Sequence, residues 1–252
     1  MKKNELQEKM IMERLVESKK ISKAEAIHLL GVSESTVRRL FIRLEERGAV
    51  VRSHGGIQLV PGQFSGCPIG GTSLEDSFAE RACQLISSGD ILFLSAGALS
   101  ERLGLALARK LEAGSLSRIT VFTNSLALLQ CLCPVTTVNL LGGEYRSEHN
   151  DFVGYLAEEN IKKLYFQKSF LAADGYDPEG GFTSREFNTA RIKQLIVERS
   201  QRNYLLIDAR NLEEGGLVNF TGKHRVDTVV ADGQLDKMIL SKLREQGVTL
   251  LL

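Results

Sequence analysis

Apolar positions recur at two different periods along this chain, and the change between them divides it. Over residues 5–18, Leu6, Met10, Ile11 or Met12, and Leu15 step by three and four, the spacing of an amphipathic helix. Ser22 and Glu25 then stand three apart, a capping box that opens a second, shorter helix over Lys23 to Leu30. Gly31 stops it. Ser33 can cap a third helix, in which Val37, Phe41 and Leu44 face one way until Gly48 ends it. Two helices about a tight Gly31-Val32-Ser33 turn predict a helix-turn-helix. The β-prone runs AVVR and IQLV follow, joined by SHGG, a turn that tolerates positive φ, so the front of the chain reads as three helices and a small hairpin, a winged helix.

Further along, the period gives way to near-continuous apolar runs. ILFLSA, ITVFTN, TVNLLGG, KSFLAADG, YLLIDA, DTVVADG and VTLLL read as strands, with helical stretches at 98–112, 151–163, 185–200 and 234–246 between most of them. Such alternation predicts a mostly parallel, Rossmann-like α/β sheet covered on both faces. Between the two patterns, PGQFSGCPIGGT is rich in glycine and proline and has no hydrophobic period. The expected organisation is therefore a winged helix over 1–60, a linker over 61–72 and an α/β domain over 73–252.

Composition adds a few limits. With 252 residues and 43% hydrophobic content the chain can bury a large core beside a small one. No run of eighteen apolar residues occurs and MKKNELQEKM has no apolar stretch after its lysines, so neither a membrane span nor a signal peptide is expected and the cytoplasm is the expected compartment. Cys67, Cys83, Cys131 and Cys133 form no CxxC pair and the four histidines are scattered, which leaves no disulfide framework, metal or cofactor to expect. The net charge of +1 conceals an asymmetry. Residues 1–60 carry 12 Lys and Arg against 8 Asp and Glu, and the remainder carries 20 against 23. A basic front module suits nucleic acid.

On the third helix, counting about 100° per residue from Val37, Phe41 and Leu44 fall within about 40°, whereas Arg38 and Arg39 lie about 100° and 200° away. Both arginines point outward. Ser33, Ser35 and Thr36 offer short hydroxyls to phosphates or base edges, Arg38, Arg39 and Arg43 can reach phosphates or guanine, and Arg52 with His54 on the wing can hold the flanking backbone. In the rear module, ligands of parallel sheets bind beyond the carboxyl ends of the strands. Those ends carry Ser95 and Gly97, Thr123 and Asn124, Gly142 and Gly143, Asp174 and Gly175, and Asp208 and Arg210. The glycine pairs also read as plain turns, and Asp174 and Asp208 also read as caps.

Residues 6–60, with VSESTVRRLFIRLEERGAVVRSHGG, resemble the DNA-binding module of the DeoR family of bacterial transcriptional regulators, whose pattern is VSxxTIRRDLxxLExxGxLxRxHGG. The resemblance implies that Ser35, Thr36, Arg38 and Arg39 face DNA. Leu40 stands where the family keeps an aspartate; about 60° from Val37, it can extend the core stripe. The resemblance continues through TNS at 123–125, LLGGEYR at 140–146, AADGYDPEGGFT at 172–183, Lys193 and Asp208. It implies a rear domain similar to sugar-phosphate isomerases that binds a phosphorylated sugar or related metabolite.

The departures fall in that pocket. The family's DxGTT loop is Ser95-Ala96-Gly97-Ala98-Leu99 here, with Ser100 the nearest hydroxyl. Its late DxSKF is Asp208-Ala209-Arg210-Asn211-Leu212, and the glutamate four before the helical lysine is Thr189, leaving Glu186 as the nearest carboxylate. Binding tolerates such losses better than turnover does, so a sensor is expected rather than an enzyme. The whole reads as a repressor of a carbohydrate-use operon, a dimer or tetramer on double-stranded operator DNA, answering to a phosphorylated sugar. The alternatives are an isomerase-type enzyme with an accessory DNA-binding module, and a rear domain that only assembles.

Overall fold

The structure, a computed structural model, describes residues 3–18, 20–46, 50–53, 55–59, 76–177, 180–209, 217–222 and 225–252. Gly48, His54, the expected linker at 61–72 and Arg210 lie outside the described residues. The chain forms two compact units, Met1–Ile69 and Gly70–Leu252.

The front unit runs α1 (Lys3–Ser18), β1 (Lys20–Ser22), α2 (Lys23–Leu30), α3 (Glu34–Glu46), β2 (Val50–Ser53) and β3 (Gly56–Leu59). The capping box forms as read: Ser22 Oγ accepts the Glu25 N–H at 3.2 Å and Glu25 returns the bond to the Ser22 N–H at 2.8 Å. Gly31, at φ +61°, closes α2 by donating to the Ile27 carbonyl at 2.9 Å. Val37, Leu40, Phe41 and Leu44 of α3 bury together with Ile11 and Leu15 of α1, Ala26 of α2, and Ile21, Val50 and Ile57 of the strands.

The wing is larger than the expected hairpin, because β1 adds to β3 to give an antiparallel sheet in the order β1-β3-β2. Three residues are too few to show an alternation, yet Ile21 is buried between exposed Lys20 and Ser22. The added strand explains a glycine. A Cβ at Gly56 would lie 2.1 Å from the Ile21 carbonyl oxygen, so the close approach of β1 and β3 requires glycine there.

The rear unit opens with α4 (Ser77–Cys83), β4 (Ile91–Leu94), α5 (Ala98–Glu112), β5 (Thr120–Thr123), α6 (Leu126–Leu132) and β6 (Thr137–Leu140). It continues through β7 (Glu144–Arg146), β8 (Asp151–Val153), α7 (Tyr155–Lys162), β9 (Phe166–Ala172), β10 (Gly175–Asp177) and β11 (Gly181–Ser184). It ends with α8 (Phe187–Arg199), β12 (Ser200–Asp208), β13 (Val218–Asn219), β14 (Thr228–Asp232), α9 (Lys237–Glu245) and β15 (Thr249–Leu251).

All seven expected strands join one sheet in the order β15-β14-β12-β9-β4-β5-β6, and every pairing in it is parallel. Phe93, Leu171, Leu205 and Val229 pack into a cluster with Ala157 and Ile161 of α7 and Ile192 and Ile196 of α8. Their neighbours Leu92, Phe170, Leu206 and Val230 are fully buried too. Burial on both faces is why these strands read as unbroken apolar runs.

One expected helix is shorter than its apolar spacing suggested. Residues 151–153 are strand β8, paired antiparallel with β7, and Gly154 at φ +88° separates them from α7. Two short antiparallel pieces, β7-β8 and β10-β11-β13, lie outside the main sheet. Among the described residues, no helix is long and apolar enough to cross a membrane.

Candidate functional site

In the front unit Ser33 just before α3, and Ser35, Arg38 and Arg39 in its first two turns, are all exposed, with Thr36 half-buried. Ser33 Oγ lies 2.9 Å from Ser35 Oγ and 3.0 Å from Thr36 Oγ1, a hydroxyl cluster that fixes the turn, and the Ser33 carbonyl accepts the N–H groups of Thr36 and Val37. Arg43 differs from the other two arginines. Its Nε donates to Glu8 of α1 at 3.1 Å, so it serves as an interhelix tie. Arg52 on β2 donates to Glu45 at 2.7 Å and fastens the wing to the end of α3. Leu40 is fully buried, so the leucine does extend the packing of α3.

At the carboxyl ends of the rear strands, the short polar side chains stitch loops together. Ser95 Oγ accepts the Ala172 N–H at 3.0 Å and lies 3.4 Å from Ser100 Oγ. Thr123 donates to the Leu94 carbonyl at 2.7 Å and accepts the Ser125 N–H at 3.0 Å. Asn124 accepts the Ala96 N–H at 3.2 Å and donates to the Phe152 carbonyl at 3.1 Å. All four are buried. They shape the rim more than they offer free groups to a ligand.

Gly97, at φ +135°, precedes α5, whose first N–H groups have no side-chain cap. That is the backbone half of an anion site. Gly142 has open space where a Cβ would go, but a Cβ on Gly143 would lie 2.4 Å from the Val153 carbonyl oxygen, which makes Gly143 a packing glycine. Gly175 is buried at the start of β10, paired with Thr183, and Asp208 ends β12 in register with Asp232.

Two cations lie in this region, Lys193 buried and Arg146 half-buried. Lys193 of α8 is 4% exposed; its Nζ is 3.9 Å from Asp174, 3.5 Å from Ser184 Oγ and 5.3 Å from the centre of the Phe220 ring. Burial lowers the Lys193 ammonium from its ordinary value, against the pull of Asp174, Asp151 and Glu186. Burial would push the Asp174 carboxyl up, but Lys193, the Arg185 N–H and the Ser184 hydroxyl together hold it below its ordinary value. The Asp174 carboxylate accepts from Ser184 at 2.8 Å and from the Arg185 N–H at 2.9 Å.

The second cation, Arg146 on β7, is absent from the candidates drawn from sequence. Its Nε and Nη2 donate to the two oxygens of Asp151 at 2.9 and 2.7 Å, its Nη1 to Glu186, and its Nη2 to Thr189 at 2.9 Å. Glu186 also caps α8, accepting the Thr189 N–H at 3.2 Å and its hydroxyl at 2.6 Å. Burial opposes its charge, yet Thr189 and Arg146 outweigh burial and bring the carboxyl down to about 2. Glu186 is thus committed to Arg146 and to the helix. The one sequence signal for Arg146 was its place at the end of LLGGEYR. Among the described residues, no group of three or more His, Cys, Asp and Glu side chains could hold a metal ion.

Residues 7–62 match the DeoR-like helix-turn-helix domain, and residues 75–233 match the DeoR C terminal sensor domain. The chain belongs to the DeoR family. It is 30% identical over 226 residues to the HTH-type transcriptional regulator GlpR of Haloferax volcanii, covering 87% of this chain and 86% of that one. It is also 30% identical over 234 residues to the Lactose phosphotransferase system repressor of Lactococcus lactis subsp. lactis, covering 88% of each. Among solved structures it resembles a D-ribose-5-phosphate isomerase in complex with phospho-erythronic acid at a TM-score of 0.41 and 18% identity, over 54% of this chain and 51% of that one, too shallow a likeness to carry chemistry.

A DeoR chain is a DNA-binding transcriptional regulator, and this one is not an enzyme. Within a DeoR sensor the departures acquire physical meaning. Ser95, in place of the family's aspartate, is spent on the Ala172 N–H. Thr189, in place of its glutamate, takes one bond from Arg146, and Glu186 supplies the carboxylate from one helical turn away.

Proposed function

We propose that this protein is a cytoplasmic, homo-oligomeric repressor of carbohydrate-use genes. It grips double-stranded operator DNA with Ser35, Thr36, Arg38 and Arg39 of α3 and with the wing, and releases it when a phosphorylated sugar occupies the rear pocket. The observation that carries the effector reading is Lys193, a buried ammonium facing Asp174 after strand β9, whose neighbour β4 leads into the uncapped start of α5. A buried cation and, at the same end of the sheet, a helix start without a side-chain cap suit an anion, and the carboxylates there suit sugar hydroxyls. The relative named as a lactose phosphotransferase system repressor supports the same class. Two copies are needed because one winged helix covers too few base pairs for a specific site.

The test uses the purified chain, an operator selected from random duplexes, and a panel of hexose and pentose phosphates with their unphosphorylated sugars. At least one phosphate ester should raise the melting temperature and weaken operator binding while its parent sugar does neither. A chain that selects no duplex sequence would remove the operator reading. One that selects DNA yet answers to no phosphosugar would leave the rear unit to assembly alone.

A further inference from the structure

We infer that Arg102 is the positioning residue that couples the proposed effector pocket to the first described residues of the rear unit, and so carries effector occupancy toward the DNA-binding unit. One guanidinium joins three elements. Its Nε and Nη2 donate to the two oxygens of Asp76 at 2.5 and 2.6 Å, a fork-on-fork pair, and its Nη1 donates to Asp232. The same group lies 4.8 Å over the Phe78 ring.

Each partner has a definite place. Asp76 is the first described residue after the stretch that leads out of the front unit, and it caps α4 by accepting the Ala79 N–H at 3.2 Å. Arg102 stands in the opening turns of α5, the helix whose start has no side-chain cap and follows the carboxyl end of β4. Asp232 ends β14 in register with Asp208, and its carbonyl accepts the Ala209 N–H at 3.1 Å. A ligand that draws on the start of α5 or on the end of β12 therefore acts on the groups that hold Asp76.

The electrostatics suit coupling better than scaffolding. One cation serves two carboxylates, so a shift that favours Asp232 loosens Asp76. The side chains are partly exposed, at 34% for Arg102, 21% for Asp76 and 38% for Asp232. Ion pairs so placed contribute little to folding, which leaves the arrangement free to respond to small forces. A fork also fixes direction, so lysine, with the same charge and no fork, cannot replace it.

This inference rests on the effector response proposed above. Arg102→Ala, Arg102→Lys and Asp76→Asn in the full chain separate it from that reading, with glucose 6-phosphate, fructose 1-phosphate and ribose 5-phosphate as probes. Two quantities are read: the melting shift each phosphate gives, and the ratio of operator affinities without and with it. The variants should keep the melting shift and hold ligand-free operator affinity within about twofold, while the ratio, tenfold or more in the wild type, collapses toward one. Arg102→Lys guards against misfolding, since it keeps the charge and should lose the ratio all the same. A lowered melting temperature with the wild-type ratio intact makes Arg102 merely structural and overturns the inference alone. A wild-type chain that shows neither shift nor ratio overturns the effector reading and this inference with it.

Discussion

The two units hold their cations in opposite ways. Arg38 and Arg39 stand exposed on α3, and no ion pair among the described residues engages either. Lys193 is buried and Arg146 half-buried in the rear unit, each against carboxylates, with the Arg146 side chain 10% exposed. The difference follows from the partner. A polyanion contributes by releasing counterions from a long surface, so its protein ligands stay hydrated and uncommitted until it arrives. A small ligand must be met by groups already fixed in place, and a buried cation stays charged only if anions hold it there.

Replacing Lys193 by methionine tests the buried half most severely. The side chain keeps its bulk and loses its charge, leaving Asp174 with Ser184, the Arg185 N–H and the weaker pull of the Arg185 side chain. Because Asp174 is 34% exposed, breaking the pair costs about 2 kcal/mol, which for a chain of this size lowers the melting temperature by about 4–8 °C. The phosphosugar-induced melting shift should disappear as well. Wild-type melting with the shift retained would mean that Lys193 holds neither the fold nor the ligand.

The exposed half should behave differently. Arg38→Ala and Arg39→Ala should each weaken operator binding about tenfold and reduce the slope of log affinity against log salt by about 1. Neither should change stability by more than about 0.5 kcal/mol, because both are exposed and no ion pair among the described residues engages them. An unchanged salt slope in a titration from low to moderate salt would take that arginine off the DNA.

The same contrast marks what could be read from the sequence. Where one short segment contains its own cause, reading worked: Ser22 and Glu25 cap α2 by bonds that span three residues, and the seven apolar runs are strands because both faces are buried. Short elements escaped it, since β1, β7 and β13 are too brief to show a period. In the site, Lys193 and Asp174 were legible as candidates, but Arg146 was not. Its roles depend on Asp151 five residues away and on Glu186 forty residues away, which only the folded hairpin brings together. Glu186 and Arg43 were named for ligands, and each is already paired within the protein.

The Arg146–Glu186 pair supplies the finest test. The Glu186 carboxyl ordinarily titrates near 4.5 and is held at about 2 in the fold. A depressed acid contributes all of its stabilisation above its unfolded value and loses it as pH falls through the folded one. Because the side chain is 36% exposed, solvent screening reduces that contribution to about 1 kcal/mol at pH 7. Glu186→Gln should therefore cost about that much at neutral pH. The gap from wild type should narrow below the ordinary 4.5 and close near pH 2, as urea titrations at stepped pH would record. Arg38→Ala measured alongside should show no such trend, since no carboxylate holds that arginine among the described residues. A gap that stays constant across the range would leave Arg146 anchored by Asp151 and Thr189, with Nη1 as uncommitted as the arginines on α3.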